Sequence, residues 1–165
     1  MASVDFAASS AVLWDFATRS YARPGVAALC LQLQDECGVD VLLLLSAAWL
    51  ASQGRQLTPA YLAVLDRACA PRRQQLIEPL RALRRAQQAD PAAPAEQVAV
   101  YEALKAAELA AERRQLQELA TSLAALPVAH SDDSNLLLNN LRLTAQPSAL
   151  PLVQQLANLL SAPEI

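Results

Sequence analysis

Glycine is scarce, with three in 165 residues. No Gly-rich phosphate loop and no nucleophile elbow can be found in the chain. Histidine is scarcer still. The single one, His130, sits in the polar stretch VAHSDDS, so the Glu-x-x-His pairs of helical di-metal bundles have no supplier. Cysteine is limited to Cys30, Cys37 and Cys69, with no metal-ligand spacing. Cys30 and Cys37 on one helix would be separated by about 10.5 Å of rise, beyond the disulfide Cα reach of roughly 4.4 to 6.8 Å. Buried, reduced thiols are therefore expected, in a reducing compartment.

Long apolar runs are missing as well. A mean hydropathy of +0.20 is high for a soluble protein. Yet the longest strongly apolar uncharged run, Val41 to Gln53, falls short of the roughly 20 residues of a membrane span. The uncharged stretch from Leu143 to Pro163 is interrupted by Gln146, Pro147, Pro151, Gln154, Gln155 and Asn158. The opening MASVDFAASS carries Asp5 and no basic region ahead of an apolar core, so no signal peptide is expected. A net charge of −3 offers no long-range attraction to nucleic acid or to acidic membranes. These absences point to a protein of a reducing compartment with no nucleic-acid partner and no membrane span.

Hydrophobic residues make up 54% of the chain, and Ala and Leu, both strong helix formers, dominate them. The expected fold class is all-α: one domain over 1–165, a bundle of seven or eight helices around a central apolar helix at 41–53. The core bundle would occupy about 10–126, with C-terminal helices at about 134–160 packing on it or on a partner. Start and stop signals divide the chain. Ser9 or Ser10 would cap a first helix to Ala22. Pro24 would sit in the first turn of a second helix, whose stripe is Val26, Leu29, Cys30, Leu33 and Cys37. Gly38 would close it and Asp40 would cap the third. Leu42 to Leu45 leave that third helix no polar side, as a central helix requires.

Thr58-Pro59 starts a fourth helix and Ala70-Pro71 is expected to break it. A fifth spans Arg72 to Gln88 with Leu76, Leu80 and Leu83 as its apolar stripe, kinked or restarted at Glu78 by Pro79. DPAAP (90–94) reads as a linker. A sixth helix runs from Ala95 to Leu126. After a loop capped by Asp133 or Ser134, a seventh follows at Asn135 to Thr144. A last apolar segment covers Leu150 to Leu160.

The informative stretch is the sixth helix. At 100° per residue, Val98, Tyr101, Leu104, Leu109, Leu116, Leu119, Leu123 and Leu126 fall on one arc, with Arg113, Arg114, Gln117 and Glu118 opposite. Lys105, Glu108 and Glu112 land within the apolar arc, and charges there need partners. Lys105 with Glu108 is one pairing. The fifth helix supplies the others, because six arginines face two acids between Asp66 and Arg85. Arg81, Arg84 and Arg85 share a broad face there and can reach Glu108 and Glu112 as bidentate forks. Three readings of this cluster stay open: a structural ion-pair network, a polar pocket for an anion or small ligand, or a carboxylate metal site, the last disfavoured by the missing histidines. Gln34, Asp35 and Asp40, with Glu36, gather at the tip of the first hairpin as caps, solvated acids or a contact surface. No catalytic residue and no cofactor is indicated.

Three blocks carry a resemblance: YARPGVAALCLQLQDECGVDV with the following LLLLSAAWLASQG, then IEPLRALRR, then YEALKAAELAAERRQLQEL. Together they resemble an uncharacterised family of small proteobacterial proteins classed as a domain of unknown function, over Trp14 to Leu119. The chain departs from that family's pattern at Leu42, where Asn stands, and at Arg72-Arg73, where Trp-Arg stands. The resemblance implies a cytoplasmic, helical bacterial protein and no particular activity. Positions matching its polar pattern are Gln34, Asp35, Asp40, Arg81, Arg84, Arg85, Lys105, Glu108 and Glu112. Without catalytic motifs, and with apolar surface from Leu136 to Leu160 to spare, the first functional expectation is a non-enzymatic interaction or regulatory module that binds a protein partner or a second copy. The alternatives are a small-molecule or anion-binding protein using the Arg/Glu cluster, whether as a binder or as an enzyme, and an apolar-ligand carrier.

Overall fold

The structure, a computed structural model, describes residues 6–87 and 92–163, with side chains from residue 11 onward. Gln88, where the fifth helix was expected to end, lies outside the described residues, as do Asp90 and Pro91 of the linker. Among the described residues there are eight α-helices: α1 Phe6–Ala22, α2 Val26–Cys37, α3 Val41–Ser52, α4 Pro59–Arg72, α5 Glu78–Ala86, α6 Ala95–Ala125, α7 Leu136–Leu143 and α8 Leu150–Ser161. The described residues hold no strand, only an isolated antiparallel bridge between Arg55 and His130. The chain is all-α.

α3 is the central element. Its residues from Leu43 to Leu50 are buried without interruption, and it packs against α1, α2, α6 and α7. Ser46 in that run is satisfied locally, donating to Leu42 O at 2.7 Å, while the buried indole N–H of Trp49 has no hydrogen-bond partner. α3 starts where the sequence places it. Asp40 Oδ1 accepts from Leu42 N at 2.9 Å and from Leu43 N at 3.1 Å, filling two of the orphan donors of the first turn. Just upstream, Gly38 closes α2 at φ 66° with its N–H on Leu33 O, a left-handed position that suits glycine. Thr58 caps α4 by accepting from Tyr61 N at 3.2 Å.

Four boundaries differ from expectation. α1 begins at Phe6, ahead of Ser9 and Ser10, because Ala-rich sequence lets the helix extend without a cap there. Pro24 lies in the turn before α2, which starts after Gly25 at φ 83°. A left-handed residue cannot lie inside a helix, so the start shifts past it. Ala70-Pro71 does not break α4. The helix runs on to Arg72 and passes through a π-turn at Arg73–Ile77 into α5; the wider turn changes the hydrogen-bond partners around the prolines, and Pro79 falls in α5's tolerant first turn. The loop before α7 is fixed by Asp133, whose Oδ1 accepts from Asn135 N at 2.9 Å, and the helix proper begins at Leu136.

α7 and α8 belong to the same core. Leu136, Leu141, Val153 and Leu156 are buried, with α7 against α3 and α8 against α2. The segment Leu136 to Leu160 is therefore not surplus surface, which corrects the expectation built on it. Asn140 of α7 is completely buried. Its Oδ1 accepts from Leu57 N at 2.9 Å, and its Nδ2 donates to Arg55 O at 2.9 Å and to Ala47 O at 3.3 Å. One side chain thereby satisfies backbone groups of the segment leaving α3, which otherwise have no helix or sheet to pair with. Arginines close two helix ends: Arg55 donates to Leu126 O at 3.2 Å and Arg23 to Leu160 O at 2.9 Å, cations placed at the negative ends of α6 and α8.

Candidate functional site

α6 crosses α1, α3, α4 and α5, and one of its faces carries Glu108, Glu112 and Gln115. The spacing i, i+4, i+7 stacks these three on adjacent turns. α5 lies alongside and turns two arginines toward them. Arg81 bridges the acids: its Nε donates to Glu108 Oε1 at 2.9 Å and its Nη2 to Glu112 Oε1 at 2.8 Å. Arg84 Nε donates to Glu108 Oε2. Glu108 is the most enclosed member, its side chain 8% exposed.

Of the apolar stripe expected on α5, only Leu80 is half-buried. Leu76 and Leu83 are exposed, Leu83 by 54%, while Arg81 and Arg84 are half-buried. α5 is thus turned arginine-side in. The reason lies in its neighbours: the acids able to neutralise these guanidiniums sit on α6 and at the end of α2. Leu109 of α6, also placed on the inward arc by periodicity, is likewise exposed.

The remaining sequence-derived candidates are distributed around this core. Arg85 does not reach Glu108 or Glu112. It pairs with Asp35 at the end of α2, and Gln34 Nε2 donates to the same carboxylate at 3.3 Å. Asp40 is not a free contact residue. While Oδ1 caps α3, Oδ2 accepts from Arg73 at 2.8 Å, and Arg73 also holds Asp66 at 2.8 Å. Lys105 does not join the cluster; it is exposed, and its nearest carboxylate is Glu102 at 4.0 Å rather than Glu108. Glu118, expected in solvent, is half-buried and bound by Arg72 of α4. His130 lies exposed with Asp132 at 3.4 Å and rests against Gly54, where an added Cβ would come within 2.4 Å of its Cε1. All three thiols are free, and burial pushes Cys30 and Cys69 up to about 12.

The two central acids are held in opposite directions. Burial raises Glu112 and the single fork arm of Arg81 does not offset it. Burial also acts on Glu108, but hydrogen bonds from Arg84 and Arg81 outweigh it and leave that carboxyl below its ordinary value. The difference has a geometric cause: both oxygens of Glu108 accept from guanidinium groups, whereas only Oε1 of Glu112 does.

These groups line a cavity of about 1310 Å³ between α1, the α2–α3 turn, α5 and α6. Trp14, Tyr21, Arg81, Glu108, Glu112 and Gln115 all contribute to its wall. Gln115 is completely buried, and neither its Oε1 nor its Nε2 has a hydrogen-bond partner. A buried polar atom left unpaired costs about 1–3 kcal/mol, and folded proteins hold few of them. Sequence reasoning missed Gln115. The available signal was its position, seven residues after Glu108 and three after Glu112. Arg113, read as a solvent residue, stacks its guanidinium on the Trp14 ring at 5.1 Å from the centroid. Among the described residues no group of three or more His, Cys, Asp or Glu is placed to hold a metal ion, and no helix is long and apolar enough to cross a membrane.

A family model described as "Protein of unknown function (DUF2390)" matches residues 12–119. That span runs from α1 into α6 and includes every member of the Arg/Glu cluster. No curated protein and no solved structure matches the chain.

Proposed function

Because the chain belongs to the DUF2390 family through the span that forms the cavity, we propose that this cavity is the seat of its function and that the protein is a small-molecule-binding helical module of the bacterial cytoplasm. The observation that carries the reading is the inside-out setting of α5. Leu83 is left in water and Leu80 is only half-buried, while Arg81 and Arg84 are turned into a cavity wall. Burying charge in place of leucine costs stability that a purely structural helix could have kept. Typical ligand sites occupy about 300–1,000 Å³ and carry a few convergent polar groups on a largely apolar wall; a cavity of about 1310 Å³ leaves room for a ligand with accompanying water. Free thiols at Cys30, Cys37 and Cys69 support a reducing compartment, and the reading treats 1–165 as one helical domain.

The test is native mass spectrometry of the gently purified protein, joined to a fragment titration followed by NMR. A co-purified small molecule, or fragments that shift the Trp14 indole and Tyr21 signals, supports the reading. Its failure is a protein free of ligand whose cavity residues no fragment perturbs.

A second reading, a protein-interaction module, is favoured by one observation: Leu76, Leu83 and Leu109 stand exposed on α5 and α6 and their approach. Leu76 and Leu83 are seven residues apart along the winding from the π-turn into α5, and exposed apolar side chains are what a contact surface is built from. Size-exclusion chromatography of the wild type against Leu83→Asp tests it; an unchanged, monomeric elution of both rejects self-association through this face.

A further inference from the structure

Along the enclosed wall of the cavity the charges are already matched to one another; Lys105 and Glu78, which also line it, are exposed to solvent. Arg81 and Arg84 are engaged by Glu108 and Glu112, Arg73 by Asp40 and Asp66, and Arg85 by Asp35. An anionic ligand would have to displace a carboxylate to reach a guanidinium. What remains open is neutral or half-used. Gln115 offers one acceptor and one amide donor group with nothing bound to either. Glu112 has engaged only one of its two oxygens, and one helical turn separates it from Gln115 on the same face of α6. Two aromatic side chains, Trp14 and Tyr21, line the same cavity, and the Arg113 guanidinium lies over the Trp14 ring.

We infer that Gln115 and the unengaged oxygen of Glu112 form a recognition edge for a neutral, planar ligand group that presents N–H donors beside a carbonyl or ring-nitrogen acceptor, the edge shared by amides, ureides and amino-substituted heterocycles. A primary amide pairs edge to edge with such a group, donating through Nε2 and accepting through Oε1. A second N–H of the ligand meets the carboxylate. The aromatic rings supply flat apolar surface of the kind a planar group stacks on. The amide atoms of Gln115 are buried among their neighbours, so the side chain must rotate to present them. Binding draws the side chain toward the cavity that it already lines. This inference rests on the cavity being a binding site, as proposed above, and it adds which chemistry the site reads.

The test uses the full-length protein and four probes. Nicotinamide and hydantoin carry the edge; benzoate and cyclopentanone have comparable shape and lack the N–H donors. Each is titrated against the wild type and against Gln115→Leu, following the cavity signals and the side-chain amide of Gln115 by NMR, with the melting temperature recorded for both proteins. The expected result is binding of an edge-bearing probe to the wild type, at least about tenfold weaker binding of the controls, and at least about tenfold loss in Gln115→Leu. The variant should melt at the same temperature or higher, since it removes an unpaired buried amide. If controls bind as well as nicotinamide or hydantoin, or if Gln115→Leu keeps the affinity, the recognition edge is wrong while the cavity reading survives. If no probe perturbs the cavity, both fall together.

Discussion

Glu108→Leu isolates the energetic role of the buried cluster. The substitution keeps the side-chain volume roughly similar and removes the carboxylate on which two guanidiniums converge. Breaking one side of a buried pair costs about 3–5 kcal/mol, because the other charge is left enclosed. Two features place this site at the lower end. Arg81 retains Glu112 as a partner, and Arg84 keeps 23% of its side chain in contact with solvent. The expected loss is therefore about 3 kcal/mol, or a fall in melting temperature of roughly 6–12 °C for a chain of this length. Urea unfolding followed by far-UV circular dichroism measures it directly. The decisive companion is Glu108→Leu with Arg84→Leu. Removing both sides of a buried pair is commonly neutral or stabilising, so the double variant should return to within about 1 kcal/mol of the wild type. A loss below about 1 kcal/mol in the single variant, or a double variant worse than the single, would refute a buried and mutually dependent network.

Other perturbations probe separate parts of the molecule. Glu112→Gln bears on pH. Folding raises the Glu112 carboxyl above its ordinary 4.5, so its favourable contribution is present below that value and is lost as pH rises through the raised one. The variant should match or exceed wild-type stability at neutral pH, with the advantage disappearing below about pH 4; urea midpoints across pH 3–8 check this, and a large loss at neutral pH would contradict it. Glu108, Asp35 and Glu118 are held low instead, so their stabilisation should fade as pH drops through their depressed values. Asn140→Ala removes three hydrogen bonds in a fully buried position and should cost about 3 kcal/mol. Its local signature is faster hydrogen exchange at the Leu57 amide, and unchanged protection there would count against the clasp. Gly54→Ala forces a left-handed φ of 64° on a side chain, costing about 1–2 kcal/mol. His130 is exposed and can swing aside, so His130→Ala in the same chain should not rescue the melting temperature.

Local chemistry was readable from the residues wherever one side chain acts on its own neighbours. Asp40, Thr58 and Gly38 mark helix ends because their capping groups are within five residues of the donors or acceptors they serve. The unbroken leucines of α3 require burial in any arrangement. Periodicity also grouped Arg81 with Arg84, and Glu108 with Glu112, correctly. It could not say which face of α5 points inward, since that depends on where the acids of α2 and α6 arrive in space. Leu83 and Arg84 are adjacent in sequence and end in opposite environments for that reason. Lys105 was misplaced by the same limitation: a position on an apolar arc is buried only if another helix covers it, and that part of α6 is largely uncovered. Asn140 and Gln115 were missed because their significance lies in partners, or the lack of them, far away along the chain.

The π-turn at Arg73–Ile77 has a consequence for how this family can tolerate change in length. Each residue advances a helix by about 100°, and a π-turn accommodates extra residue in the winding without interrupting it. Everything beyond it is rotated relative to what α4 alone would dictate. Deleting one residue between Arg73 and Ile77 would restore plain α-helical winding and swing α5 by about 100°, moving Arg81 and Arg84 off their acids. The chemistry of the cavity therefore depends on a count of residues as much as on their identity, and a one-residue deletion about 6–12 Å of helix before Arg81 could disable it as thoroughly as a substitution of Glu108 itself.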